Sequence, residues 1–332
     1  ICKLVDLGYE VHVIQWDEKK LTPFRTSEIK GIYFYSRSKF DSRGIIKLYF
    51  NINPILTVVS GWMDKEYLKA SKFIRKNDGF VVAGLDTQYN PSLKHLVFCL
   101  IGRLGFFKKY FSHAWVPGIR QYEFAKNIGF SNDKILFDLL SADLNCFHNA
   151  FQESLSIRSL NYPKKMLFVG RFVDVKGILN LIEAWLSSKA IDMGWELLIV
   201  GNGPLKDQIK SAKGVKVMDF MSTIGLAELS KECGCFILPS IKEPWGVVIH
   251  EFTAAGLPII CTKNVGASER FVIDQSSGII IPNSSVDNIR YGIEKILMKT
   301  DEQLFEMGVL SNTLSNRITP LTSALNLVSI IK

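Results

Sequence analysis

Two cations lie just before a predicted helix in the second half of the chain. Residues 168–177 run from an apolar stretch into Gly170, and Arg171 and Lys176 follow. Fixed positive charge beside the free N–H groups of a helix start favours an anion such as a diphosphate. Two solvated loop cations are the alternative interpretation of this feature taken alone.

Two glutamates flank the start of a later predicted helix. Residues 243–251 have the sequence Glu-Pro-Trp-Gly-Val-Val-Ile-His-Glu, whose proline and glycine free the backbone to approach a ligand closely. The N–H groups of residues 245–248 would be the unpaired donors of a helix start. Glu243 lies in the loop and Glu251 about two turns into the helix, so the two carboxylates can serve different parts of one ligand. A dipole-favoured acid and a surface acid are the alternative.

Three glycine-containing turns complete the series. Residues 201–204, Gly-Asn-Gly-Pro, lack the third glycine of a dinucleotide fingerprint and alone indicate a tight turn. Residues 254–258, Ala-Ala-Gly-Leu-Pro, close a helix, and residues 266–269, Gly-Ala-Ser-Glu, follow the next strand. These turns indicate a binding site only through the order in which they follow one another along the chain.

These features fall where apolar runs end. Beyond residue 164 the runs alternate with helical stretches, which predicts a parallel sheet with helices on both faces and ligands at the carboxyl ends of the strands. The predicted strands are residues 165–170, 196–201, 215–218, 234–239, 258–261 and 278–282, and the predicted helices are residues 177–186, 204–212, 227–233 and 246–255.

A second doubly wound domain is predicted for the first half of the chain. Residues 1–8 are typical of a helix end with a stop at Gly8, and no initiator Met precedes them, so we expect an earlier strand, loop and most of a helix to be missing. The predicted strands here are residues 10–15, 31–35, 79–83 and 113–116.

The domain boundary is predicted in a polar stretch. Residues 143–162 show no clear period and precede Pro163, which favours a linker. The predicted domains are residues 1–155 and 156–332, with the C-terminal tail able to cross back. Two such domains would face each other across a cleft.

Composition excludes several classes of protein. With 332 residues, 47% apolar and 22% charged, the chain has ample material for a core and is neither disordered nor fibrous. Six scattered cysteines do not make a disulfide framework, which favours a reducing compartment. The longest apolar run, residues 96–105, is interrupted by Arg103 and falls short of the roughly 20 residues of a membrane span.

The basic charge lies in the first half. Residues 1–160 carry 22 Lys and Arg against 15 Asp and Glu, whereas residues 161–332 carry 18 against 17. Such a bias suits a phospholipid surface, a lipid-linked phosphate or nucleic acid, or it is a soluble surface that happens to be basic. No recognition motif supports nucleic acid.

The motifs in this order resemble the C-terminal domain of retaining glycosyltransferase family 4, which has the GT-B fold. The resemblance spans about residues 163–283, and the ordered combination is specific although each part is not. The Glu-Pro-Trp-Gly variant is similar to a subgroup found in bacterial polysaccharide biosynthesis. Over residues 1–160 the resemblance is looser, at residues 7–14 and 115–143.

The resemblance implies a GT-B protein with two Rossmann-like domains, the first truncated, and it assigns roles to particular residues. Arg171 and Lys176 would neutralise the donor diphosphate, Glu243 would lie by the donor sugar, and Glu251 would bind the ribose. Glu243, Arg171 and Lys176 are thus the implied catalytic residues. The full donor-binding set is Gly170, Arg171, Lys176, Gly201, Gly203, Phe220, Ser222, Glu243, Pro244, Trp245, Gly246, Val247, Val248 and Glu251.

The implied reaction agrees with elementary chemistry. Departure of a nucleoside diphosphate develops negative charge on phosphate, which cations and N–H dipoles stabilise. No Asp-x-Asp triplet occurs, so neither a metal nor another cofactor is expected. The predicted function is a retaining, metal-independent hexosyltransferase that uses a nucleotide sugar in polysaccharide biosynthesis. A GT-B nucleotide-sugar epimerase and a noncatalytic nucleotide-sugar binding module are the alternatives.

The acceptor side departs from the family. Members commonly place a histidine after about the fourth strand, but residues 81–89 contain none, and Asp86 and Tyr89 are the nearest candidates. His113, in a strand pattern, is expected to be a core residue.

An apolar and aromatic segment follows. Residues 94–111 interleave such side chains with four cations, as in an interfacial helix, or they form a core helix with a basic end. We expect a glycan or polyprenyl-linked acceptor, peripheral membrane contact and a location in the cytoplasm at the inner face of the membrane. The cations are Lys94, Arg103, Lys108 and Lys109.

Overall fold

The computed structural model describes residues 1–16, 29–89, 92–210 and 212–331, without the side chains of residues 94 and 95. The chain divides into two units, residues 1–140 together with 320–332, and residues 141–319.

The first unit contains two parallel sheets. The strands β1 (Val11–Gln15) and β2 (Ile32–Ser36) pair with each other, with Val11 opposite Ile32. The second sheet has the order β3-β4-β5-β6. Its strands are β3 (Thr57–Ser60), β4 (Val81–Gly84), β5 (His113–Trp115) and β6 (Ile135–Leu136), and the helices of this half are α1 (Cys2–Asp6), α2 (Ser42–Ile52), α3 (Lys65–Lys76), α4 (Leu93–Arg103) and α5 (Ile119–Asn127).

Four of these strands confirm the predictions for this half. The short strands β3 and β6 were not predicted, because β3 is only partly buried and β6 has two residues, so neither presents an apolar run long enough to detect. The predicted stop after α1 is confirmed, since Gly8 has a φ of 89°.

An aromatic cluster forms the core of this unit beside the second sheet. The ring of Trp62 lies 5.1 to 6.1 Å from those of Phe98, Phe107 and Phe124. Phe107 and Phe124 are almost completely buried, so α4 and α5 are held to the sheet through aromatic packing.

The second unit has one six-stranded parallel sheet, in which all six predicted strands are found. The strand order is β12-β11-β10-β7-β8-β9, and the residues of β10 and β11 are buried throughout, as expected for strands covered on both faces. The strands are β7 (Lys165–Val169), β8 (Glu196–Val200), β9 (Val215–Met218), β10 (Cys235–Leu238), β11 (Ile259–Thr262) and β12 (Gly278–Ile281).

The helices of this unit pack in two groups. Helix α7 contacts α8 and α12, and α10 contacts α6, α11 and α13, as expected for a sheet covered on both faces. The helices are α6 (Leu144–Leu160), α7 (Ile178–Leu186), α8 (Lys206–Ile209), α9 (Thr223–Ser230), α10 (Val247–Ala254), α11 (Ser268–Phe271), α12 (Val286–Leu297) and α13 (Asp301–Ser315); α14 (Pro320–Val328) belongs to the first unit.

The predicted linker is wrong, because residues 144–160 form the 17-residue helix α6. The predicted boundary at residues 155 and 156 falls inside this helix. Its buried side recurs at helical spacing but includes Ser154 and Arg158, which interrupt the apolar pattern. Arg158 donates hydrogen bonds to the carbonyl oxygens of Ser230, Ala255 and Gly256. The sequence pattern alone would have placed this arginine at the solvent-exposed surface, but it lies in the core.

Two predicted helix bounds also need correction. The predicted helix 204–212 is reduced to the four residues of α8, because its first residues belong to a turn in which the Lys206 N–H bonds the Gly203 carbonyl. The helix predicted at 227–233 begins at Thr223, since the Ser222 hydroxyl accepts a hydrogen bond from the Gly225 N–H and caps it.

Candidate functional site

The predicted site residues follow three adjacent strands. β7 lies between β10 and β8 in the sheet, and all three strands run in the same direction. The cations therefore emerge after the central strand, the Gly-Asn-Gly-Pro turn after one neighbour, and the Glu-Pro-Trp-Gly loop after the other. The structure brings these segments together at one edge of the sheet, where parallel α/β folds bind ligands.

Direct hydrogen bonds join the first two segments. The Gly170 N–H donates to the Val200 carbonyl at 3.0 Å, and the Phe172 N–H donates to the Asn202 carbonyl at 2.9 Å. A Cβ at Gly201 would collide with the Gly170 carbonyl oxygen, and the φ of Gly201 is 146°. Gly201 therefore permits a close approach of two backbones, which is a structural role whether or not a ligand binds.

An ion pair joins the cation loop to the glutamate loop. The Lys176 ammonium contacts the Glu243 carboxylate, and their side chains are 15% and 13% exposed. The Ile241 N–H also donates to the Val175 carbonyl at 2.9 Å. Because each charge of the pair is balanced by the other, the exposed Arg171 contributes the positive charge of this loop that Glu243 does not neutralise.

The Glu-Pro-Trp-Gly loop is fixed by the segment after β11. The Gly266 N–H donates to the Glu243 carbonyl at 3.1 Å, and the Ala267 N–H donates to the Trp245 carbonyl at 2.8 Å. Trp245 is buried with its ring edge-on to Phe271. These hydrogen bonds give the loop a defined backbone path, and the contact with the segment after β11 was not predicted from the sequence.

Helix α10 begins immediately beyond this loop. Gly246 is its N-cap, with a φ of 92°, a left-handed conformation that glycine adopts without strain. The N–H groups of Val247 and Val248 have no acceptor within the helix, as in any first helical turn. An anion held here would meet both these donors and the positive end of the helix dipole.

Glu251 lies in the second turn of the same helix. Burial raises the pKa of this carboxyl from 4.5 to about 7, and the negative charge of Asp143 acts in the same direction. A carboxyl that titrates near neutral pH is poised to accept hydrogen bonds from a ligand once it is ionised.

His250 is a buried residue of α10 that the sequence did not single out. Its Nδ1 accepts a hydrogen bond from the Ala142 N–H at 3.2 Å, which leaves Nε2 to donate to the Ser315 carbonyl at 2.8 Å. Its ring stacks on Phe271 with centroids 4.0 Å apart, and burial lowers its pKa to about 4. The only signal in the sequence was its place directly before Glu251.

Phe220 and Ser222 follow β9, the edge strand of the sheet. Phe220 is exposed, whereas the hydroxyl of Ser222 caps α9. Ser222 therefore has a structural role here, and Phe220 is the more available side chain for a ligand.

The acceptor candidates lie in the first unit, after β4. Asp86 is exposed and lines a pocket of about 400 Å³ at the carboxyl ends of β3 and β4, together with Ser60, Met63 and Thr87. Tyr89 instead packs against the core cluster of this unit. The structure thus places Asp86, but not Tyr89, in the lining of this pocket.

His113 is a core residue, as predicted. It is buried in β5, its Nδ1 lies 3.0 Å from the Ser112 hydroxyl, and burial lowers its pKa to about 4. It has no part in the site.

Neither a metal cluster nor a membrane span is found in the part of the chain that the structure describes. Its His, Cys, Asp and Glu side chains form no group of three or more arranged to hold a metal ion. Likewise, none of its helices has the length and hydropathy of a bilayer span.

The fold of this chain is similar to that of solved glycosyltransferases with the GT-B fold. A sucrose-phosphate synthase from Thermosynechococcus elongatus superposes with a TM-score of 0.74 at 15% identity, over 99% of this chain and 90% of that one. The Anabaena protein HepE, solved in complex with UDP and glucose, gives a TM-score of 0.66 at 14% identity, over 87% and 80% of the two chains. The predicted GT-B fold class is confirmed.

Sequence comparison also finds a match within the second unit. Residues 153–306 match the family glycosyl transferases group 1. An uncharacterized glycosyltransferase of Methanocaldococcus jannaschii is 29% identical over 155 residues, which are 44% of this chain and 38% of that protein. The chain thus aligns with less than half the length of this curated relative.

Proposed function

We propose that the protein is a retaining, metal-independent glycosyltransferase of the family 4 type. It transfers a hexose from a nucleotide sugar to a glycan or lipid-linked acceptor in polysaccharide biosynthesis. The observation that carries the proposal is the pairing of Lys176 with Glu243 beside the start of α10. This arrangement places a cation, a carboxylate and free N–H donors around one position at the end of the sheet.

The donor diphosphate is held by charge and by backbone dipoles. Arg171 and Lys176 supply the cations, and the N–H groups of Val247 and Val248 supply donors at the positive end of a helix. These groups are fixed before the reaction begins, so they stabilise the charge that develops on the leaving phosphate without reorganisation. This set does the work that a divalent metal does in other transferases.

The proposed transfer needs only the nucleotide sugar and the acceptor as reactants. The bond between the anomeric carbon and the phosphate oxygen breaks, and the acceptor oxygen bonds to the same face of that carbon. The acceptor proton passes to the departing phosphate.

Glu243 and Glu251 serve different parts of the donor. When the diphosphate binds, Lys176 shifts from Glu243 toward phosphate, and the released carboxylate lies by the donor sugar. Glu251, in the second turn of α10, accepts hydrogen bonds from the ribose hydroxyls. A uridine diphosphate donor is supported by HepE, the structural neighbour solved with UDP and glucose.

The acceptor binds in the first unit. Asp86 lines the pocket there, and the family resemblance places the acceptor side in this half. The basic surplus of the first half suits a phosphate-linked acceptor at the cytoplasmic face of a membrane.

The test is turnover of UDP-hexoses in EDTA, followed as UDP release with and without a glycan acceptor. We expect release that depends on acceptor, survives EDTA and falls by at least about a hundredfold in Glu243→Ala. Glu228→Ala, which removes an exposed carboxylate paired with Lys231, is the matched control. Acceptor-independent formation of an altered sugar nucleotide would instead identify an epimerase, and full activity of Glu243→Ala would refute the site.

A further inference from the structure

Helix α4 is apolar on two opposite sides. One side carries Cys99 and Gly102 and packs into the first unit, where a Cβ at Gly102 would clash with the backbone of Ile128. The opposite side is also apolar but is exposed. A helix that is apolar all round is ordinarily buried on all sides, so the exposed side requires a partner.

The exposed residues recur with helical periodicity. Leu93, Leu100 and Leu104 are 82%, 61% and 81% exposed, and Leu96, Val97 and Ile101 are 50%, 57% and 43% exposed. Positions separated by three and four residues lie on one side of a helix, so these side chains form one continuous stripe. We call it the α4 outer face, and it consists of Leu93, Leu96, Val97, Leu100, Ile101 and Leu104.

The sequence around this face is basic. No Asp or Glu occurs between residues 87 and 122, whereas this stretch contains five Lys and Arg. Lys108 and Lys109 are exposed just beyond the end of α4, and the Lys109 ammonium lies over the ring of Phe106 at 4.2 Å. An apolar stripe bordered by cations and aromatic rings has the chemistry of a surface that lies in a lipid headgroup region.

We propose that the α4 outer face docks the protein on an anionic lipid bilayer, with Lys108 and Lys109 at the headgroups. An acidic lipid surface supplies both the apolar depth and the negative charge that this segment matches. A second copy of the chain is disfavoured as the occupant, because two such faces would place like charges against each other. The inference deepens the proposed function by naming the surface that reaches a lipid-linked acceptor, but its test needs no nucleotide sugar.

The experiment is sedimentation of the 332-residue chain with vesicles at low salt. Vesicles of phosphatidylcholine with about one third phosphatidylglycerol are compared with phosphatidylcholine alone, since surface charge draws in cations within a Debye length. The test variant is Leu96→Gln, Leu100→Gln and Leu104→Gln together. The matched control replaces three exposed apolar residues of the second unit, Leu160, Ile224 and Met298, by Gln.

We expect the wild type and the control to bind the anionic vesicles, and the partition coefficient of the test variant to fall at least about tenfold. Lys108→Gln with Lys109→Gln should reduce binding to anionic vesicles, whereas Lys189→Gln with Lys213→Gln should not. All variants should keep the wild-type melting temperature, because the altered side chains are exposed.

Three results would overturn the proposal. Wild-type chain that sediments with neither vesicle at low salt is the first. The second is a test variant that binds as the control does, which removes this face from the interface. The third is a wild-type chain that does not bind vesicles but forms a concentration-dependent dimer, with the test variant remaining a monomer. This result would assign the α4 outer face to contact with a second copy. Because UDP binding is measured separately, failure of the donor site leaves these outcomes unaffected.

Discussion

Replacing Glu251 by Gln should make the protein more stable and worse at binding its donor. Burial, with Asp143 as a second cause, raises the pKa of the Glu251 carboxyl to about 7. The folded protein therefore resists ionisation of a group that ionises freely in the unfolded chain. Gln has nearly the same shape as protonated Glu and carries no charge at any pH, so it removes this conflict.

The sign and size of the effect follow from linkage. Between pH 4.5 and 7 the unfolded chain ionises this carboxyl and the folded protein does not, so its contribution to folding stability falls as pH rises through this range and is constant above it. The difference between the two pKa values corresponds to at most about 3 kcal/mol of folding free energy. We expect a smaller effect because the side chain of Glu251 is partly exposed. Glu251→Gln should thus melt several degrees higher at pH 8 and equal the wild type near pH 4.

The assay is a pair of melting curves at each pH from 4 to 8, with UDP titrations on the same samples. Comparing the two proteins at one pH cancels other titrating groups such as His250. Wild-type affinity for UDP should fall about tenfold per unit below pH 7, and the variant should bind weakly with no such dependence. A melting-temperature difference that is absent at pH 8 contradicts the burial argument, and stabilisation with unchanged UDP affinity contradicts ribose binding by Glu251.

Three further substitutions test other parts of the site. Arg171→Ala should weaken UDP binding by about ten- to a hundredfold, whereas Arg290→Ala, which removes a partly exposed arginine paired with Asp287, should leave it unchanged in calorimetric titration. Equal affinities would remove Arg171 from the diphosphate site. Lys176→Ala should weaken UDP binding and also lower the melting temperature slightly, since it removes the cation that contacts Glu243. Unchanged affinity for UDP would mean that the Lys176–Glu243 ion pair has only a structural role. His250→Ala should lower the melting temperature by several degrees, because it leaves the Ala142 N–H and the Ser315 carbonyl without the hydrogen bonds that His250 makes to them. An unchanged melting curve would contradict a stabilising role for these hydrogen bonds.

The second unit was largely predictable because its strands are buried on both faces. Continuous apolar runs such as residues 235–238 and 259–262 are visible without knowledge of any contact. Helix α6 was not predictable in the same way, since Arg158 is stabilised by carbonyl groups 72 to 98 residues away. Local sequence carries no trace of such partners.

The site was predictable as a list of residues but not as an arrangement. The order of turns identified Lys176 and Glu243 separately, yet their ion pair depends on β10 lying beside β7, a topological fact that joins residues 67 positions apart. The role of His250 likewise depends on partners 108 and 65 residues away. Spacing along the chain locates chemistry at strand ends, and sheet order decides which strand ends meet.

The most direct test of the account is the melting temperature of the chain with millimolar UDP, GDP or ADP in EDTA. A ligand that binds only the folded state raises the melting temperature. We predict that one nucleoside diphosphate, UDP first among them, stabilises the protein in EDTA and that Arg171→Ala loses most of the shift while Arg290→Ala keeps it. No shift with any of the three nucleotides, or a shift that EDTA abolishes, would contradict a metal-independent donor site built from Arg171, Lys176 and the start of α10.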